Sequence, residues 1–94
     1  MTVLSSEDVQ RRLASVPGWS LSDAGALERE WKLADFAAAI AFVGRVAQVA
    51  EEHNHHPDIL VHGWNRVQLT LSTHSEGGLT ESDFKLAGLL DQLA

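Results

Sequence analysis

No cysteine occurs among the 94 residues, which excludes a disulfide framework and thiolate chemistry and fits a reducing cytoplasm. Proline and glycine are sparse, two and seven residues, so the chain is neither fibrous nor low-complexity. Basic residues are also few: seven Lys and Arg stand against thirteen Asp and Glu, a formal net charge of -6. That balance repels phosphate backbones and anionic lipid, and without a local Lys/Arg cluster it excludes direct nucleic-acid binding. No apolar run approaches membrane-spanning length, and Met1-Thr2-Val3-Leu4-Ser5 lacks a basic region followed by a hydrophobic stretch. The expectation is a cytoplasmic protein with one domain over 1–94. A core of this size is marginal alone, so association between copies is a plausible means of burying more surface.

What the chain does have is periodicity. Ser5 and Asp8 form a capping pattern that opens a short helix carrying Val9 and Leu13, with Val16 near its end and Pro17-Gly18 closing it. Trp19 and Leu21 alternate with serines, and after a polar break Ala26 to Leu33 alternates again, with Leu27, Trp31 and Leu33 on one face. Asp35 is a good N-cap for a helix to about Glu52 with a stripe of Phe36, Ile40, Val43, Ala47 and Ala50, flanked by Phe42, Val46 and Val49. Asp58 to His62 and Val67 to Thr73 read as strands, Glu76-Gly77-Gly78 as a turn, and Thr80 with Asp83 as a capping box for a last helix. The order α-β-β-α-β-β-α predicts an α+β fold, with helices packed on one face of an antiparallel sheet.

All five histidines, His53, His55, His56, His62 and His74, fall between positions 53 and 74. Imidazole gives and takes protons near neutrality, so the clustering points to acid-base chemistry. If the helix persists, Glu51 and His55 share a face, while Pro57 disfavours helical geometry at His56 and predicts the helix stop there. Gln68, Thr70, Ser72 and His74 form a polar row along the last strand, so His74 sits at a strand end. A helix-to-strand junction and a strand end can lie close, bringing His55, His56 and His74 around one pocket. Against this, His53 and His62 read as solvated loop residues, Trp19 and Trp31 as core, and Asp83 as a capping residue first. A metal centre is the rival reading of the histidines, but no H-E-x-x-H or Cys ligand accompanies them.

The run Glu51-Glu52-His53-Asn54-His55-His56-Pro57, then Trp64-Asn65-Arg66 through Thr73-His74, then Gly77-Gly78-Leu79-Thr80 and Asp83, resembles the pterin-4a-carbinolamine dehydratase family. Pro17-Gly18-Trp19 and Trp31 leading into Asp35-Phe36 also suit it, so the likeness covers nearly the whole chain. The resemblance implies a four-stranded antiparallel sheet with three helices on one side, assembled as a homodimer or homotetramer. It implies a substrate, 4a-hydroxytetrahydropterin, dehydrated to quinonoid dihydropterin after an aromatic amino-acid hydroxylase has used the pterin, with no cofactor and no metal. Carried over residue by residue, the catalytic positions are His55, His56 and His74. Glu51 and Asp83 are supporting acids, and Trp19, Asn54, Pro57, Thr73 and Ser75 fall among the positions lining the pterin. His74 and His55 form the implied proton-transfer pair with His56 positioning the ring, and which histidine is acid and which base stays open. His53 departs from what the family leads one to expect at that place. A second role class, a protein-binding or assembly module, is also represented among relatives: dimerisation of a homeodomain transcription factor in animals, assembly chaperoning in divergent bacterial members. Retention of all three histidines favours the enzyme.

Overall fold

The computed structural model describes residues 2–94, the side chain of His74 excepted. Along the chain run α1 (Ser6–Leu13), β1 (Ser20–Leu21), β2 (Leu27–Lys32), α2 (Phe36–Glu52), β3 (Asp58–His62), β4 (Arg66–Leu71) and α3 (Glu81–Asp91). A single 3-10 turn, His74–Glu76, lies between β4 and α3. The strands form one antiparallel sheet in the order β1-β2-β4-β3. The element order and the four-stranded antiparallel sheet are those expected from the sequence. No helix among the described residues is long and apolar enough to cross a membrane.

Register decides which side chains enter the core. Leu27 stands opposite Leu71 and Trp31 opposite Val67 across β2 and β4, with Arg29 facing Leu69 between them. These apolar residues join Val9 of α1, Phe42 and Val46 of α2, and Leu86 and Leu90 of α3 in one buried cluster. A slip of one residue would turn Glu28, Glu30 and Lys32 inward, so the polar alternation itself specifies the pairing. Arg29 is the one inward-facing charge on β2. Its guanidinium lies 4.8 Å from the Trp31 ring centroid and pairs with Asp91 at 2.9 Å. The Trp19 indole Nε1 donates to the same Asp91 oxygen at 2.8 Å, and the Trp19 and Trp31 rings meet edge to face at 5.6 Å. Both tryptophans are thus buried, as read from the sequence.

Three local expectations differ from the structure. The buried side of α2 is Ala39, Phe42, Val46 and Ala50, with Val43 and Val49 at its margin, whereas Phe36, Ile40 and Ala47 are exposed. The helix is apolar nearly all round, so periodicity alone admitted a stripe rotated from the true one. Strand β4 ends at Leu71, not Thr73, because Thr73 leaves the ladder to bridge Gly78 across the 3-10 turn. His74 therefore opens that turn instead of closing a polar row. Finally, α1 stops at Leu13, and Val16 is buried from the turn that follows.

Candidate active site

The site begins where α2 ends. Asn54 adopts a left-handed backbone, φ 48°, which its short polar side chain tolerates better than most. The amide of His55 then donates to the Ala50 carbonyl at 3.1 Å and that of Asn54 to the Glu51 carbonyl at 3.2 Å. This is a Schellman stop, and it acts before Pro57 does. The predicted stop at His56 is therefore displaced, and the Glu51–His55 pairing on one helical face does not form. The reversal exchanges the partners: His56 Nε2 lies 2.9 Å from Glu51 Oε1, and His55 Nε2 lies 2.5 Å from Asp83 Oδ1.

These two pairs differ in setting. His56 and Glu51 are mostly exposed, so water competes for their contact and it contributes little to stability. Asp83 is fully buried and the His55 side chain is only 16% exposed. A buried carboxylate requires compensation on both oxygens. Oδ1 faces His55, while Oδ2 accepts from the Thr80 amide at 2.9 Å and from the Thr73 hydroxyl at 2.7 Å. Asp83 and Thr80 form the reciprocal capping box read from the sequence. The same carboxylate also reaches across the fold to His55, a use that the capping pattern had overshadowed. One residue starts α3 and holds the α2–β3 junction against it.

The remaining expected positions divide. Thr73 is buried on Asp83, Asn54 and Pro57 border His55 and His56 along the chain, and Ser75 is exposed in the 3-10 turn. Trp19 lies in the core with its indole N–H committed to Asp91. The side chain of His74 lies outside the described residues. Thr80 was not among the expected site residues, although its place in the capping box put it next to Asp83.

His62 is not a bare loop residue: it ends β3 and bonds to Glu30 of β2 across β4, with Arg66 also on Glu30 at 3.4 Å. The hydrogen bond from His62 is the main cause that holds the Glu30 carboxyl below its ordinary range; the His62 and Arg66 charges add to it, and partial desolvation opposes it. A depressed folded-state value means that Glu30 contributes stability present above the unfolded carboxylate range and lost as pH falls through the folded value. Glu30→Gln should therefore lower the urea midpoint relative to the parent at about pH 5.5, and the gap should close towards about pH 3, below the usual glutamate value. Parallel urea titrations at the two pH values check this.

Among the described residues no three His, Asp or Glu side chains are grouped as a metal would require. A cavity of about 250 Å³ lies between α1, the β1 turn and Leu79, but residues such as Leu4, Val9, Gln10 and Leu21 line it. Its lining contains no ionisable side chain, so it offers no proton-transfer group. Among the described residues, His55 with Asp83 and His56 with Glu51 form two imidazole–carboxylate pairs around the α2–β3 junction.

The chain is similar to known proteins along nearly its whole length. The family model described as "Pterin 4 alpha carbinolamine dehydratase" matches residues 2–93. A chain of Chloroflexus aggregans named "Putative pterin-4-alpha-carbinolamine dehydratase" is 47% identical over 93 residues, covering 99% of this chain and 98% of that one. One of the same name from Rubrobacter xylanophilus is 44% identical, over 96% of this chain and 83% of the other. Among solved structures, a transcriptional coactivator/pterin dehydratase from Brucella melitensis superposes with a TM-score of 0.92 at 36% identity, covering 99% of both chains. A pterin dehydratase-like protein identified as a RuBisCO assembly factor in the alpha-carboxysome gives a TM-score of 0.70 at 26% identity, covering 82% of this chain and 89% of that one.

Proposed function

The chain belongs to the pterin-4a-carbinolamine dehydratase family, and from that premise we propose that it dehydrates 4a-hydroxytetrahydropterin to quinonoid dihydropterin and water by histidine acid-base catalysis. The observation that carries this reading is the His55–Asp83 pair, a partly exposed imidazole anchored at 2.5 Å to a fully buried carboxylate. The reaction needs one group to take the N5 proton as the C4a=N5 bond forms, and another to protonate the hydroxyl leaving C4a. His55 and His74 are the proposed proton-transfer pair. His56, steadied by Glu51, positions the ring, Asn54, Pro57 and Ser75 border the pterin, and Thr73, placed there by the family likeness, is buried on Asp83. Trp19, packed on Trp31 and bonded to Asp91, would support the fold from its core. In this reading 1–94 is one catalytic unit whose reaction uses no cofactor or metal and serves an aromatic amino-acid hydroxylase.

Exposed Phe36 and Ile40 on α2, and Ile59 and Leu60 on β3, support assembly into homodimers or homotetramers. Similarity to the RuBisCO assembly factor supports a second, protein-assembly reading, but a scaffold has no physical need for a carboxylate-anchored histidine. The test is stopped-flow absorbance of the quinonoid product from freshly generated 4a-hydroxytetrahydropterin. Acceleration above the uncatalysed rate is expected, and the uncatalysed rate alone would contradict the enzyme.

A further inference from the structure

We infer that Thr73 is a positioning residue which, through Asp83, fixes the His55 imidazole with its proton on Nε2 and leaves Nδ1 to accept the N5 proton of the substrate. The inference rests on the dehydratase reading and assigns the role in proton transfer that the reading leaves open.

The chain of hydrogen bonds has one consistent direction. A threonine hydroxyl has a single hydrogen, and that of Thr73 goes to Asp83 Oδ2 at 2.7 Å. The 2.9 Å contact between the Thr73 and Thr80 hydroxyls must then be donated by Thr80. Thr80 also supplies its amide to Oδ2 at 2.9 Å, so two donors converge on that oxygen. Only Oδ1 remains for His55, at 2.5 Å from Nε2. With two donors already on Oδ2, the carboxylate acts as an acceptor, and the hydrogen of the Oδ1 contact comes from the imidazole. His55 is therefore an Nε2–H donor to Asp83, and its unprotonated nitrogen in the neutral ring is Nδ1.

That nitrogen suits one of the two proton transfers. Nδ1 takes the proton from N5, the N–H electron pair forms the C4a=N5 bond, and the C4a–O bond breaks. The departing oxygen receives a proton from a second acid and leaves as water. The positive charge gained by His55 lies against the Asp83 carboxylate, and exchange with solvent returns both groups to their starting state. Without the Thr73 hydroxyl, Oδ2 keeps only the Thr80 amide as a donor, so the carboxylate is held less firmly and the imidazole is held less strictly in one tautomer. Thr73 is buried, which suits a residue acting through Asp83.

The experiment combines turnover with long-range proton–nitrogen correlation spectra of the whole 15N-histidine-labelled protein, His55 being assigned with His55→Gln. The parent should show His55 protonated on Nε2 and bare at Nδ1. Thr73→Val should mix the tautomers and lower kcat about ten- to a hundredfold, the range found when outer partners of metal-ligating histidines are removed, with KM little changed. Thr73→Ser should restore both. A parent His55 protonated on Nδ1 would overturn the inference, as would Thr73→Val with the parental tautomer and kcat. If the parent shows the Nε2–H tautomer yet does not turn over the pterin, the dehydratase reading falls and with it the role in catalysis, while the spectra of the two variants still decide whether Thr73 sets the tautomer.

Discussion

Asp83→Asn should fold and yet lose dehydratase turnover by on the order of 10²–10⁴-fold, the range of a positioned acid-base group. Asparagine matches aspartate in shape but has one acceptor oxygen and one donor amide. The Thr80 amide and the Thr73 hydroxyl both need an acceptor, so the amide oxygen takes the Oδ2 place and the NH2 group faces His55. A donor there forces Nε2 to accept and moves the imidazole proton to Nδ1. The ring keeps its position and presents the wrong atom to the substrate, the logic by which the corresponding change disables serine-protease triads. Circular dichroism and urea unfolding should show a stable variant beside the collapsed turnover. Parental turnover in Asp83→Asn would break the link between the buried carboxylate and the chemistry.

Phe42→Ala should cost about 3–5 kcal/mol, the usual range for removing a buried aromatic ring. Phe42 is fully buried and its ring centroid lies 5.1 Å from that of Trp31. It sits at the centre of the α2–sheet interface, so the loss is a large share of the roughly 5–15 kcal/mol available to a domain. Phe36→Ala on the same helix should cost far less of the chain's own stability, since Phe36 is 55% exposed. Urea unfolding of both variants checks the orientation of α2, and a larger loss for Phe36→Ala would mean that the helix faces the core as the Phe36–Ile40 stripe suggested. The position of the site depends on this, because the rotation of α2 sets where its C-terminus delivers His55.

The strands were legible because β2 and β4 bury one row of side chains against the core, which prints an alternation into residues 27–32 and 66–71, broken only at Arg29. Caps were equally legible: Ser5, Asp35 and Thr80 all stand at the helix starts they predict. The face of α2 was not legible, since Phe36 and Ile40 add apolar residues that the chain's own core does not explain. The exchange of partners at the helix end was hidden for a different reason. It depends on Asn54 entering the left-handed region, a local backbone event that spacing on a helix wheel cannot express. The contact of His55 with Asp83 joins residues far apart in sequence, and bottom-up reading gave Asp83 a sufficient role as a cap. Only the family likeness placed both in one site. Arg29 escaped notice because an inward charge on a strand looks like a break in the alternation until Asp91 and the Trp31 ring are seen beside it.

The most direct test of the site is the rate of 4a-hydroxytetrahydropterin dehydration by the parent chain, by His55→Ala and by His53→Ala at equal concentration in the presence of a chelator. The account predicts parental acceleration over the spontaneous reaction, its loss in His55→Ala, and its retention in His53→Ala, whose side chain is exposed at the C-cap of α2. Equal turnover by His55→Ala and the parent would contradict it.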